Sequence, residues 1–263
     1  MISAMNGCSI GLLLSSKGAV LFFQIRCFHP AKGVSLLSVL LIILCMVSSH
    51  SAVCQQAASV DSSYANGYYK QRLSFFKQIP DRKNEIVFLG NSITEAGEWQ
   101  ELIHRKNVLN RGISGDNSFG VFYRLDEILA SKPKKIFLMI GVNDLKRGTP
   151  PAVIVNNYER IARKIQKDSP KTRLYFQSVL PVAETILSSS YSKLTNEKIR
   201  ELNTQLRSLA LRYGLPFIDL HTDVFADLNN SAQMKINLTT DGIHLQPVAY
   251  ILWAQYLKTN NYL

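Results

Sequence analysis

The stretch "FLGNSITEAGEW", residues 88–99, closes an apolar run at Gly90 and then sets Asn91 and Ser92 ahead of a short polar segment. A run that ends on glycine and turns at once into polar residues fits a plain strand-to-helix turn. It equally fits a nucleophile displayed at the carboxyl edge of a sheet. The residues that follow the other apolar runs decide between the two.

"EIVFLG" (85–90) and "KIFLMIG" (135–141) read as buried strands, with "RLYFQSVL" (173–180), "PFIDL" (216–220) and "NVLNRG" (107–112) as further ones. Short runs that are apolar on both faces suit parallel strands covered by helices on both sides. Helical spacing lies between them. Val155, Tyr158, Ile161, Ala162 and Ile165 recur on one face, after Thr149, Pro150 and Pro151. The threonine is read as a capping hydroxyl and the proline as a first helical residue. In 194–214, Ile199, Leu202, Leu206, Leu209 and Ala210 form one stripe that ends at Gly214, suited to a left-handed cap, with Pro216 soon after. Helices are also expected over 65–78, over 118–130 and from Pro247 to Leu257. Strands alternating with helices predict the α/β class: a three-layer α/β/α sandwich around a mainly parallel, flavodoxin-like sheet of about five strands.

In such sheets ligands bind outside the carboxyl ends of the strands. Gly90-Asn91-Ser92 follows the first strand, Gly112-Ile113-Ser114-Gly115-Asp116 the second, and Gly141-Val142-Asn143-Asp144 the third. Near the carboxyl end "TTDGIHL" (239–245) places Asp241 three residues before His244. Each has a bland reading alone: a chance Gly-x-Ser turn, an ordinary strand-end turn, a structural histidine, an Asp at a helix entry. Together, four separate segments converge on one edge of one sheet, which chance explains poorly.

These residues resemble the SGNH hydrolases of the GDSL esterase/lipase superfamily, whose four blocks supply Ser, Gly, Asn and His in that order. Ser92 in "FLGNSIT", Gly115 in "RGISGD", Asn143 in "GVND" and the Asp241/His244 pair in "DGIHL" match them. The resemblance covers about 84–257. It departs from the pattern at Asn91, where the family name has Asp; an asparagine makes similar turn-stabilising hydrogen bonds. The resemblance implies Ser92 as nucleophile, His244 as general base and acid, and Asp241 as the group that orients the imidazole. It also implies an oxyanion hole from the backbone N–H groups of Ser92 and Gly115 and the side-chain amide of Asn143. Gly115 suits this role because a Cβ there would crowd the acyl group. Asp116, Asn117, Leu180 and Pro181 are candidates to border the pocket, with a turn or cap role the alternative for the first two. The stretch 182–194 is a candidate specificity loop. Asp144 is read as structural, Trp99 and Trp253 as core, and His221, His104, His50 and His29 as spectators.

The implied reaction is hydrolysis of short acyl esters, acetyl above all, on a small ester or an O-acetylated carbohydrate or glycan. No long apolar lid for a fatty chain is visible. A lysophospholipase or thioesterase of the same family is the runner-up. A silent glycan-binding module on the same fold is a further reading, disfavoured because Ser, Asn and His are all present. No cofactor motif or metal cluster is visible.

Composition bounds the rest. The 263 residues suffice for one good-sized domain, and 46% hydrophobic with 19% charged residues argues against wholesale disorder. The formal charge is +11, but the first 54 residues hold Lys17, Arg26 and Lys32 and no acid, leaving 27 bases against 19 acids. Apart from Lys132, Lys134 and Lys135 the bases are scattered, which reads as a solvated surface and not a nucleic-acid footprint. All four cysteines, Cys8, Cys27, Cys45 and Cys54, lie in the first fifth of the chain. The remainder can form neither a disulfide framework nor a thiolate nucleophile.

"LLSVLLIILCMV" (36–47), with Lys32 before it and "SSHSA" after it, has the form of a secretory signal. Ser49 and Ser51 suit the −3 and −1 positions of a cleavage site. Export, secreted or periplasmic, is therefore expected. Lipid attachment at Cys54 is the weaker reading, since bulky Val53 precedes it. The apolar run is short for a membrane span, which needs ~20 residues, although uncleaved it would still anchor the chain. So long a preface is foreign to a signal, and the true start is expected near residue 30. Residues 1–54 are thus read as preface and signal peptide or anchor, 55–64 as a linker, and 65–263 as the hydrolase domain.

Overall fold

The computed structural model describes residues 61–263. The preface, the signal or anchor, Cys54 and most of the expected linker lie outside the described residues. Five strands form one sheet: β1 (Ile86–Gly90), β2 (Val108–Gly112), β3 (Lys135–Met139), β4 (Arg173–Gln177) and β5 (Phe217–Ile218). Their order is β2-β1-β3-β4-β5 and every pairing is parallel. The chain thus moves outward from β1 in opposite directions, and the topological switch point lies between β1 and β3. This is the flavodoxin-like sheet that the sequence predicts.

The strands are apolar on both faces because both are covered. On one face Phe88 is in register with Phe137, and Phe137 with Tyr175. Their rings stack at 5.0 and 4.7 Å between centroids. Trp99, from helix α3 (Trp99–Ile103), continues the stack at 4.0 Å from Phe88. Trp253, from the closing helix α9 (Pro247–Thr259), meets Trp99 edge-on at 4.8 Å. The opposite face is covered by α7 (Pro151–Asp168), whose Tyr158 meets Phe176 edge-on at 4.9 Å, and by α8 (Asn196–Arg212) beside it. A smaller cluster of Tyr64, Tyr69, Leu73, Phe76, Ile113 and Phe119 lies under α1 (Gly67–Gln78).

Several local details depart from the sequence reading. Thr149 does not cap α7: Pro150 occupies the cap, no side chain bonds there, and the Thr149 N–H donates to the Asp144 carbonyl. The helix expected over 118–130 is two, α4 (Ser118–Tyr123) and α5 (Leu125–Ala130), which meet at Arg124, where the backbone leaves helical geometry at φ −95°, ψ 9°. Of residues 61–64, read as the end of a linker, Ser62 and Ser63 are exposed and Asp61 accepts from Asn117 Nδ2 at 2.8 Å. Tyr64 is buried and lies 5.0 Å from Tyr69, edge-on.

The quoted stretch owes its glycine to crowding. A Cβ at Gly90 would lie 2.2 Å from Thr94 Oγ1 and 2.5 Å from the Met139 carbonyl oxygen. One at Gly112 would lie 2.2 Å from the Glu95 nitrogen. Both strand ends are therefore bare so that α2 (Ser92–Glu95) can fold back onto them. A one-turn helix has no stability of its own, and its carbonyls are satisfied from outside. Tyr250 Oη–H donates to the Ile93 oxygen at 2.8 Å, Trp99 Nε1–H to the Thr94 oxygen at 2.8 Å, and Asn110 Nδ2–H to the Glu95 oxygen at 2.8 Å. Trp99→Ala removes both the end ring of the stack, which also meets Trp253, and one of these donors. It should cost about 3–5 kcal/mol of stability, measured by urea unfolding; a loss below about 1 kcal/mol would contradict this account of how the turn is held.

Candidate active site

Ser92 is the first residue of α2, at the carboxyl end of β1 and beside the switch point. Asn91 caps the helix, its Oδ1 accepting from the Ile93 N–H at 3.1 Å. Asparagine thus supplies the turn bond at the position where the family name has Asp. Ser92 is half-buried, and its Oγ lies 3.1 Å from Nε2 of His244, 152 residues away in sequence.

His244 sits in the loop before α9, and its Nδ1 is 2.7 Å from Asp241 Oδ2. The other oxygen, Oδ1, accepts from the backbone N–H groups of Ile243 at 3.0 Å and His244 at 2.8 Å. The bland reading of Asp241 as a local cap is therefore true of one oxygen, while the second holds the imidazole. Burial pushes the Asp241 carboxyl upward, but the bonds from the imidazole and the two backbone N–H groups outweigh it, and the net shift is downward. A carboxyl shifted this way contributes stability that is complete above its unfolded value, ~3.9, and lost as pH falls through its lower folded one. The carboxylate is thus ionised at neutral pH. The side chains of His244 and Asp241 are 41% and 51% exposed, so the imidazole is open to a ligand.

Gly115 has φ +81°, a left-handed conformation that favours glycine. A Cβ there would meet only Asn66 Nδ2, at 3.9 Å. Within the protein, backbone conformation and not crowding accounts for the glycine. Its N–H has no protein acceptor among the described residues. The Asn143 side-chain amide donates to the Asp116 carbonyl at 2.9 Å. An NH₂ carries two hydrogens, so one remains for a ligand.

The four further candidates are all buried. Asp116 is fully buried, with Oδ2 accepting from Arg124 Nε at 2.9 Å and Oδ1 from the Asn117 N–H at 2.9 Å. Burial pushes its carboxyl up to about 7 against the opposing pull of Arg124. Asn117, also buried, caps α4 through its Oδ1 and donates to Asp61. Leu180 and Pro181, in the segment that leaves β4, are buried. A polar residue beside a strand-end motif is as often support as contact, and here both polar candidates are support. Asp144 is structural, as read from the sequence. It is buried and accepts from the N–H and hydroxyl of Ser118 at 3.1 and 2.6 Å, pinning the start of α4 to the turn after β3. His221 is buried in the turn after β5.

Two residues that matter to the site carry no sequence signal of their own. Arg124 donates through Nη2 to the Gly90 carbonyl at 3.0 Å while bonded to Asp116, so it joins the ends of β1 and β2. Glu95, inside the quoted stretch, accepts through Oε2 from the Ser114 N–H and hydroxyl at 2.7 and 2.5 Å. Its Oε1 takes Tyr68 Oη–H at 2.6 Å and Arg72 Nε at 3.0 Å.

A flavodoxin-like sheet with Ser, Gly, Asn and His from four segments at its carboxyl edge defines the SGNH class of hydrolases. The chain matches the GDSL-like Lipase/Acylhydrolase family over residues 88–251, more than half its length, and belongs to it. Among curated proteins it is 25% identical over 140 residues to human platelet-activating factor acetylhydrolase IB subunit alpha1, covering 51% of this chain and 57% of that one. With the rat alpha2 subunit it shares 26% over 133 residues, covering 48% and 57%. The chain thus spans little more than half the length of the curated relatives it matches. Among solved structures, a Streptococcus pneumoniae protein provisionally assigned as a platelet activating factor superposes with TM-score 0.67 at 26% identity, covering 86% of this chain and 99% of the other. A GDSL-like lipase from Bacteroides thetaiotaomicron gives 0.63 at 21%, covering 74% and 98%. The acetyl xylan esterase AlAXEase gives 0.56 at 23%, covering 67% and 98%, and these last two speak to the fold.

Asp116→Ala strands the buried Arg124 charge and should cost about 3–5 kcal/mol in urea unfolding, with Asp116→Ala/Arg124→Met recovering part of the loss. A raised KM at unchanged stability would restore Asp116 as a substrate contact.

Proposed function

We propose that this protein is a serine esterase that hydrolyses short acyl esters, acetyl above all, on a carbohydrate or glycan through an acyl-serine intermediate. The observation that carries the reading is the hydrogen-bonded chain from Ser92 Oγ through His244 to Asp241. Ser92 Oγ attacks the ester carbonyl carbon while His244 Nε2 takes the hydroxyl proton. The carbonyl oxygen becomes an oxyanion, received by the N–H groups of Ser92 and Gly115 and the remaining Asn143 amide hydrogen. The C–O bond to the alcohol breaks and that alcohol leaves with the proton from Nε2. Water then repeats the sequence on the acyl-serine and frees Ser92. Asp241, ionised, fixes the tautomer and balances the imidazolium.

Preference for a short acyl group is supported by the loop after β4. It is folded into two single turns, Glu184–Ile186 and Ser189–Tyr191, and tied to the His244 loop by the Ala183 N–H on the Gly242 carbonyl at 2.9 Å. At Gly242, φ +94°, a Cβ would lie 2.8 Å from the Ala183 oxygen and 3.0 Å from Leu187. The loop's apolar side chains beside that glycine are Ile186, which is exposed, and the partly buried Leu187. The exposed His244–Asp241 pair supports a bulky leaving alcohol. The curated relatives are named for acetyl removal from platelet-activating factor and one structural neighbour for acetyl removal from xylan, which agrees in the acyl group. Export, argued from the apolar run at 36–47, completes the proposal by placing the enzyme with extracellular glycans.

The test is an ester panel of rising acyl length with acetylated sugars and acetylated lysophospholipid, run on wild type, Ser92→Ala and Asp241→Asn. Acetyl esters should turn over fastest and an acetylated sugar faster than the lipid. Ser92→Ala should abolish turnover and Asp241→Asn lower kcat by about 10⁴-fold. Long acyl chains or thioesters turning over fastest would favour the lysophospholipase or thioesterase reading. No hydrolysis by wild type would favour a binding module, and activity surviving in Ser92→Ala would mean another nucleophile.

A further inference from the structure

Arg147, the last residue of α6 (Val142–Arg147), touches both outlying donors of the proposed oxyanion hole from behind. Its Nη2 donates to the Gly115 carbonyl at 3.3 Å and its Nη1 to the Asn143 carbonyl at 3.3 Å. Its Nε lies 3.9 Å from the Asp61 carboxylate, which also accepts from Asn117 Nδ2 at 2.8 Å. One guanidinium thus gathers the segment before α1, the loop after β2 and the turn after β3.

We propose that Arg147 is a positioning residue that holds the Gly115 and Asn143 donors in one register. The inference rests on the esterase reading above. The donor N–H of Gly115 belongs to the peptide between Ser114 and Gly115. The peptide before it is held at the Ser114 N–H by Glu95, and the one after it at the Gly115 carbonyl by Arg147. With both neighbours fixed, the donor peptide keeps its plane at a glycine whose φ of +81° would otherwise be free to change. Asn143 is held likewise, at its own carbonyl by Arg147 and at its amide by the Asp116 carbonyl.

Displacing a donor by about 1 Å costs on the order of 10²-fold in rate. Arg147→Met should therefore lower kcat for an acetyl ester by about 10- to 100-fold, within the range for loss of an oxyanion donor, with KM nearly unchanged. Affinity for a boronate transition-state analogue should fall by a similar factor, and affinity for the non-hydrolysable amide of the same acyl group should not. Arg147→Lys, which reaches one carbonyl at a time, should lose less. Asp61→Asn, which removes the lateral charge and touches no donor, should lose least; these two carry the test if the methionine variant does not fold. Unchanged kcat in the variants, a loss confined to KM, or equal loss for boronate and amide would overturn the proposal. In each of those outcomes the esterase reading survives as long as wild-type turnover depends on Ser92. Absence of Ser92-dependent turnover in wild type would overturn both.

Discussion

A charged group sealed inside the domain holds the strand ends on which the site is built. The Arg124 guanidinium bonds the Asp116 carboxylate just past β2 and the Gly90 carbonyl at the end of β1, with both side chains fully buried. Taking two such charges out of water costs several kcal/mol each, which mutual attraction recovers only when geometry is good and further hydrogen bonds are made. The pair therefore adds little net stability, and what it supplies is a fixed relation between β1 and β2. That relation sets where Ser92 stands relative to Gly115.

The remaining supports follow the same plan, in which each short segment of the candidate site is held by residues from a different part of the chain. The single turn carrying Ser92 is fastened through its carbonyls by Tyr250, Trp99 and Asn110. The Gly115 loop is gripped by Glu95, and the Asn143 turn is pinned through Asp144 to the start of α4. His244 arrives on a loop whose shape is set by Asp241 and by the chain leaving β4. Loops held this way behave as parts of the scaffold, and under the proposed function the donors they carry are pre-set for charge that develops later. The cost of such an arrangement is a buried polar network in which Asp116 and Asp144 are both pushed upward from the ordinary carboxyl range by burial.

Much of this was legible in the sequence because it rests on local periods. The apolar runs that make β1, β3 and β4, the stripe on α8 and the glycines that end strands are all written within a few residues of where they act. The four segments that meet at the sheet edge were legible for a topological reason: strand ends of a parallel sheet share one side, whatever their sequence separation. Long-range pairing was not legible. Asp116 beside Gly115 looks the same in sequence whether it faces a substrate or an arginine eight residues on. Glu95 reads as a first-turn acid, and its grip on Ser114 appears only when β1 and β2 lie side by side. Thr149 had the chemistry of a cap, but Pro150 occupies that position and the threonine backbone bonds to Asp144 instead.

The central claim is that the His244 imidazole, held by Asp241, makes the Ser92 hydroxyl a nucleophile. A fluorophosphonate that forms a stable adduct with an activated serine tests this without knowledge of the natural substrate. Mass spectrometry of the folded wild type should find one adduct per chain, on the peptide containing Ser92, and His244→Ala should slow its formation by several orders of magnitude. An adduct on another residue, or labelling of Ser92 at the same rate without the imidazole, would contradict the account.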